Sequence, residues 1–293
     1  MQACKTDNGV MKKTFLTVLC CLVYLSSQAQ TAHSLFLRKD SLQVSEIVSE
    51  VGNQFNKVGH HGPAVENSHM ALRIYFNDSG AIDVYSKPGT GMELLKYKWY
   101  PSKEDQLKDG CGNDHYIVGK TVGLGGIALW DGSKEVKLVA TNGRKARAGS
   151  TAKGSYAEMI AYGVEYMSDL VDISIRIDVS KRTREAVVTA RELNGKKVMF
   201  LTGVNFHEGQ TIFTGKGYIG VWGPHKGDKS PVPVAIGAGI RFRQLQFLPV
   251  RKTENMMRII SKPSSKIKTH IVASSVKERQ RNTEELFEKY ITR

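Results

Sequence analysis

The sequence predicts an all-β fold, a large antiparallel β-sandwich closed by a C-terminal helix. Three observations carry this reading. Residues 170–179 alternate, with Val171, Ile173, Ile175, Ile177 and Val179 set against Asp172, Ser174, Arg176 and Asp178, the period of a strand with one buried face. Strand-length apolar segments recur at short spacing between turn signals, with no βαβ alternation. The chain then ends on a different period, an apolar stripe of Leu286, Phe287, Tyr290 and Ile291 at helical spacing.

The elements follow in order. Lys12 and Lys13 precede an apolar run over 15–24 and the small residues Ser27 and Ala29, the pattern of a secretory signal peptide with Met11 as its start. The run is shorter than the roughly 20 residues that span a bilayer. Cys20 and Cys21 lack the small residues that precede a lipid-attachment cysteine. The expected organisation is a leader and signal peptide over 1–29 and a single β-sandwich domain over 30–293. The mature protein is expected to be periplasmic or secreted, with no transmembrane segment.

Leu42, Val44, Ile47, Val48, Val51 and Phe55 recur at three- and four-residue spacing, which predicts a helix over 41–58 ended by Gly59. Residues 71–76 and 81–85 flank Asn77-Asp78-Ser79-Gly80 and read as a hairpin. Residues 96–126, rich in Gly, Lys and aromatics, read as an irregular functional loop. Residues 136–139 and the segment after Arg144 flank Asn142-Gly143, a hairpin signal, and 185–193 and 197–204 surround a second at Asn194-Gly195. Further strands are expected over 232–242, 256–261 and 266–274. Ser275 and Glu278 have capping-box spacing ahead of the terminal helix.

The chain carries 42 basic and 28 acidic residues. Removing Lys5, Lys12, Lys13 and Asp7 leaves 39 and 27 after residue 29, a net charge of +12. For an exported protein this favours an acidic oligosaccharide or polysaccharide over nucleic acid, although a solvated basic surface accounts for the same charge without a partner. Cys111 is the sole cysteine after residue 29, which excludes an internal disulfide and a metal site built on cysteine pairs. Gly119-Lys120-Thr121 is not a phosphate loop, because Asp114 stands where the first glycine is needed. Nothing in the sequence sets an oligomeric state.

The densest polar cluster is His60-His61-Gly62-Pro63 with Glu66-Asn67, a loop able to present an acid, a base or metal ligands. Asn205-Phe206-His207 and Trp222-Gly223-Pro224-His225 place two more histidines at strand ends. If His60 or His61 met His207 and His225 at one mouth of the sandwich, three imidazoles with a carboxylate would suit a divalent metal, the one cofactor the pattern suggests. Taken singly, a loop or core hydrogen bond is the simpler account of each. Trp99, Tyr100 and Trp222 lie in Gly/Pro-rich context and are candidate platforms for sugar rings. Arg73, Arg144, Arg147 and Lys120 are candidate carboxylate anchors.

These motifs also resemble a known family. His60-His61-Gly62-Pro63-Ala64 with Glu66-Asn67, Gly80-Ala81-Ile82-Asp83-Val84-Tyr85, Lys98-Trp99-Tyr100-Pro101, the run Val118-Gly119-Lys120-Thr121-Val122-Gly123-Leu124-Gly125-Gly126, Thr202-Gly203-Val204-Asn205 and Lys216-Gly217-Tyr218-Ile219 look like the exported family called domain of unknown function 4861, over about residues 44–291. The resemblance implies bacterial systems that degrade complex, often pectin-like or otherwise uronate-rich, polysaccharides, and a galactose-mutarotase-like sandwich. It carries no catalytic set.

The resulting expectation is a carbohydrate-active enzyme working on uronate-containing oligosaccharides. A lyase is favoured over a hydrolase, because His, Tyr and Arg outnumber carboxylates in the candidate loops. In a lyase His60, His61, His207 or Tyr116 is the base. In a hydrolase Glu66 and Asp114 are the carboxylate pair, about 5 to 10 Å apart. Asn67, Arg73, Trp99, Tyr100, Lys120, Asn205, Trp222 and His225 are the candidate substrate contacts. The alternatives are a non-catalytic glycan-binding protein and a sugar epimerase or mutarotase.

Overall fold

A computed structural model describes residues 30–293 other than Val51, Trp99 and Val232. The leader and signal-peptide reading therefore lies outside the described residues. The described chain is all-β, with eighteen strands numbered in chain order and arranged in three sheets of antiparallel pairs. The largest runs β13 (Thr211–Gly215), β14 (Tyr218–Pro224), β15 (Ala235–Phe242), β18 (Lys266–Ser275), β11 (Ala186–Glu192), β10 (Asp169–Ser180), β9 (Gly154–Tyr166), β8 (Arg144–Ser150) and β2 (Glu46–Ser49). Two smaller sheets pack on its inner face. One is β1 (Ala32–Ser34), β3 (Ala64–Glu66), β4 (Met70–Ile74) and β5 (Ile82–Ser86), which lies against β8, β9 and β10. The other is β16 (Arg251–Lys252), β17 (Met256–Ile260), β12 (Phe200–Asn205), β6 (Ala128–Trp130) and β7 (Glu135–Val136), which lies against β14 and β15.

The core between the layers is what the period-two pattern dictates. Val171, Ile173, Ile175 and Ile177 of β10 face Met70, Leu72 and Ile74 of β4 and Ile82 and Val84 of β5 in one continuous cluster. Each such side chain contributes about 1.5–3 kcal/mol by leaving water. A bulge in β9 sets Tyr162 and Gly163 opposite Asp172 of β10, whose carboxylate accepts a hydrogen bond from Gly163 N at 2.8 Å. The extra residue lies on β9, so the inward alternation of Val171 and Ile173 on β10 is intact.

Several local expectations are corrected. The described residues of 41–58 form no helix. They carry the edge strand β2 paired with β8, and Leu42 and Val48 are more than half exposed. The three- and four-residue spacing was compatible with a helix, but pairing with β8 satisfies this backbone instead. Asn142-Gly143 does turn, with Gly143 at φ +87°, yet it joins two sheets rather than one hairpin. β7 pairs with β6, while β8 pairs with β9 and β2. Asn194-Gly195 likewise sends the chain from β11 to β12 in a different sheet. The stretch 96–126 is not wholly irregular, since α1 (Leu94–Tyr97) reaches into it and α2 (Lys103–Asp109) lies within it. The terminal helix α3 (Glu284–Ile291) starts at Thr283, whose hydroxyl accepts from Leu286 N, and not at Ser275.

That helix seats Phe287 and Ile291 on the outer face of β14 and β15, where Gly220, Gly237 and Gly239 leave room for them. Arg241 donates to the carbonyls of Tyr290 and Ile291 and closes its C-terminal end. Among the described residues no helix is long and apolar enough to cross a membrane.

Candidate functional site

The site grows out of strand alternation in the four-stranded sheet. Leu72, Ile74, Ile82 and Val84 turn into the core, so Arg73, Tyr75, Asp83 and Tyr85 must turn outward. The segment carrying α1 and α2 covers that outer face and makes it a buried polar layer. Arg73 and Asp83 are register partners across the hairpin. Arg73 is 1% exposed and spends its guanidinium on three neighbours. Nε and Nη2 donate to Asp83 Oδ2 at 2.9 and 2.5 Å, Nη2 donates to Asp114 Oδ2 at 2.7 Å, and Nη1 donates to the Tyr100 hydroxyl at 3.2 Å. Tyr75 adds a 2.6 Å bond to Asp83. Burial alone would lower the Arg73 pKa, but Asp83 and Asp114 outweigh it and hold the pKa raised.

His60 and His61 enter from a strained turn. Their φ angles are +54° and +60°, left-handed at two successive non-glycine residues, an arrangement that costs about 1–3 kcal/mol per residue. The surroundings hold it in place. His61 stacks on Phe55 at 3.8 Å, and its Nδ1 lies 2.8 Å from the Phe55 carbonyl. A carbonyl only accepts, so Nδ1 carries the proton of the neutral ring and Nε2 is the acceptor. The Tyr100 hydroxyl, 2.9 Å away, therefore donates to Nε2 while accepting from Arg73. Arg38 Nη2 lies 3.2 Å from both ring nitrogens, a position over the ring rather than along either lone pair. Burial first, then the charges of Arg73 and Arg38, lower the His61 pKa to about 4. His60 is buried against Ser34 Oγ at 3.0 Å and edge-on to Phe36. Burial, then Arg73, takes its pKa to about 3. Burial raises the Tyr100 phenol, and Arg73 pulls against it.

A second cluster gathers around the peptide of Ile117. Its N–H donates to His225 Nδ1 at 3.1 Å, and its carbonyl accepts from Asn205 Nδ2 at 2.9 Å and His207 Nε2 at 3.0 Å. The His207 and His225 rings are 4.5 Å apart, and Tyr116 lies 4.4 Å from His225. Two of the expected histidines thus meet, whereas His60 and His61 turn to Ser34, Phe55 and Tyr100 instead. Burial, then His207, lowers the His225 pKa to about 3, and burial raises the Tyr116 phenol. Among the described residues no group of three or more His, Cys, Asp or Glu is arranged to hold a metal ion. His115 Nδ1 lies 2.9 Å from Asp228 Oδ2 and 2.8 Å from Ser230 Oγ. Both partners sit on one nitrogen, so this trio is not a serine–histidine–aspartate relay, which needs them on opposite nitrogens.

Tyr100 and Asp114 of the first cluster, with Asp228 and Ser230 around His115, line a groove of about 320 Å³ together with Lys103 and Asn113, whereas Asn205, His207 and His225 do not line it. Asp114 reaches it with a side chain 17% exposed, Asp228 with one 1% exposed. The other expected residues stand elsewhere. Glu66 does not line the groove. It is fully buried on Lys87 at 2.5 Å and accepts from the backbone N–H groups of Glu93 and Leu94, anchoring α1. Asn67 closes the β3–β4 turn through His69 N and Met70 N. Lys120 is exposed on a turn. Trp222 is no platform: it is 7% exposed and packs on Phe287 beneath α3. Arg144 is buried on Asp78 and the Leu138 carbonyl, and Arg147 pairs with Glu46 on the surface. Trp99 lies outside the described residues. Sequence reasoning missed Tyr75, Asp83, Lys103, Asp228 and Ser230. Only Asp83 carried a signal, an acid inside an apolar strand opposite Arg73.

No curated protein matches the chain. Among solved structures, the 4-alpha-glucanotransferase from Thermococcus litoralis aligns with 80% of this chain at 10% identity and a TM-score of 0.36. The chain spans 41% of that protein's length. The family described as Domain of unknown function (DUF4861) matches residues 25–293, nearly the whole length, and the chain belongs to that family.

Proposed function

We propose that this protein is an exported carbohydrate-active enzyme that cleaves uronate-containing oligosaccharides by β-elimination in the Tyr100–Asp114 groove. The observation that carries the reading is the Tyr100 hydroxyl, held between an acceptor, His61 Nε2 at 2.9 Å, and a donor, Arg73 Nη1 at 3.2 Å, on a half-exposed residue at the groove. In the reaction the proton next to the sugar carboxylate passes to Tyr100 Oη as the Tyr100 proton passes to His61 Nε2. The electron pair left on carbon forms the new double bond and expels the glycosidic oxygen, which takes the proton from Tyr100 Oη as His61 Nε2 returns its own to Tyr100, so the pair is restored. The exposed Lys103 and Lys229 flank the groove and would neutralise the substrate carboxylate as charge develops. Hydrolysis between two carboxylates fits less well, because Asp228 is closed on His115 and Ser230.

A second reading is a binding protein without turnover. It is favoured by Arg73, whose charge is already met by Asp83 and Asp114. One experiment separates the two. Residues 30–293 are incubated with a panel of uronate oligosaccharides, and the ultraviolet absorbance of an unsaturated uronate is followed together with product mass. Shortened chains with new absorbance are expected. Shortening with a gain of water would replace elimination by hydrolysis, and binding with no product would leave the second reading.

A further inference from the structure

A second cavity lies at the far end of the same buried polar layer. It encloses about 530 Å³, within the range of small-molecule sites. Its lining includes Ser68, His69, Lys87, Thr90, Glu278 and Arg279. Lys87 follows Asp83 by four residues, about 13 Å along an extended chain, so this cavity is distinct from the groove.

Its wall is built of buried charge. Lys87 donates to Glu66 at 2.5 Å and to the Asn67 carbonyl at 2.9 Å. Arg184, 6% exposed, donates to Glu278 and to the Ala273 carbonyl. Its Nη1 lies 3.2 Å from His69 Nδ1. A guanidinium only donates, so Nδ1 accepts and the neutral ring carries its proton on Nε2. His69 is half-buried and has no other side-chain hydrogen bond among the described residues, which leaves the Nε2 donor to the cavity it lines. Burial first, then Arg184 and Lys87, hold the ring neutral with a pKa of about 4. Glu66 and Glu278 balance Lys87 and Arg184. Arg279 is exposed and makes no ion pair among the described residues, so the balance of the lining is positive. The Ser68 and Thr90 hydroxyls add neutral polar groups.

We propose that this cavity binds the carboxylate of an acidic sugar unit, with Arg279 and the His69 Nε2 donor on the carboxylate and Ser68 and Thr90 on ring hydroxyls. The site stands whether or not the groove is catalytic. The test is isothermal titration of residues 30–293 with galacturonate, galactose and inorganic phosphate, using Arg279→Ala, His69→Asn and Tyr100→Phe, each first checked for an unchanged thermal transition. Galacturonate should bind and galactose should not. Arg279→Ala and His69→Asn should each weaken binding about tenfold, the loss of one charge-assisted or buried hydrogen bond, while Tyr100→Phe should leave it unchanged. Arg279→Ala lies on the surface and keeps the test open if the His69 variant fails to fold. Equal binding of galactose, or binding of phosphate alone, would overturn the assignment. So would binding that survives Arg279→Ala but falls in Tyr100→Phe, which would move the ligand to the groove.

Discussion

At the scale of single residues, the hydroxyl of Tyr100 is where the geometry concentrates. The tautomer of His61 follows from one carbonyl, that of Phe55, and it orients the Tyr100 proton toward Nε2. Tyr100→Phe removes one oxygen and no packing. Elimination should fall by about 10²–10⁴-fold, the contribution of a placed proton-transfer group, while oligosaccharide affinity changes little. Wild-type rates in Tyr100→Phe, measured on the best substrate of the panel, would remove this residue from the chemistry. His61, Arg73, Tyr100 and Asp114 were legible as polar or aromatic residues in or beside loops. Their convergence was not, because Asp114 reaches Arg73 across 41 residues. Asp83 was the readable exception. The turn at Asn77-Asp78-Ser79-Gly80 sets a register that pairs Arg73 with Asp83, and an acid between Ile82 and Val84 points away from the core. Nothing marks Asp228 and Ser230 in the sequence as anything but loop residues.

At the scale of elements, periodicity located strands well and pairings poorly. The strand over 170–179 and the hairpin over 71–85 were legible, because a buried face and a tight turn are local signals. The partners of β8 and β12 were not. Asn-Gly fixes a backbone conformation, whereas the choice of sheet is made by apolar faces more than 50 residues away, as for β12 with β17. The terminal helix was legible from its stripe, and its seat follows from glycines on the strands beneath. A Cβ at Gly239 would stand 1.8 Å from Ile291 Cδ1, and one at Gly237 would stand 2.6 Å from Phe287. Gly239→Ala should therefore cost about 1–3 kcal/mol through overpacking, and Ile291→Ala about 2–5 kcal/mol through the lost contact and cavity. The clash disappears when both are changed, so the double variant should lose less than the sum. Urea midpoints of the four proteins measure this, and strict additivity would mean that α3 does not press on Gly239.

At the scale of the whole molecule, the fold is held at neutral pH by histidines kept uncharged. His60 and His225 have pKa values lowered to about 3, and His61 and His69 to about 4, with burial the largest cause in each. In the unfolded chain these rings return to about 6.5. Below that pH the unfolded state takes up protons that the folded state refuses, so stability falls as the pH drops from 6.5 toward 3 and is unaffected by these groups above 7. At 1.36 kcal/mol per pH unit, His60 and His225 each account for a loss on the order of 4 kcal/mol by the bottom of that window. His61 and His69 are only partly buried, and solvent screening makes their share smaller. A domain is stable by roughly 5–15 kcal/mol, so a loss of this size is a large fraction of the total, and the growing excess of positive charge acts in the same direction. Denaturant midpoints should be level between pH 7 and 8 and decline steeply from 6 to 4. His225→Gln, which cannot take up a proton, should reduce that slope by close to one proton equivalent even though it lowers stability at pH 7. A midpoint that stays constant down to pH 4.5 would mean that these rings are open to water and protons in the native state, and the closed polar layer described for them would be wrong.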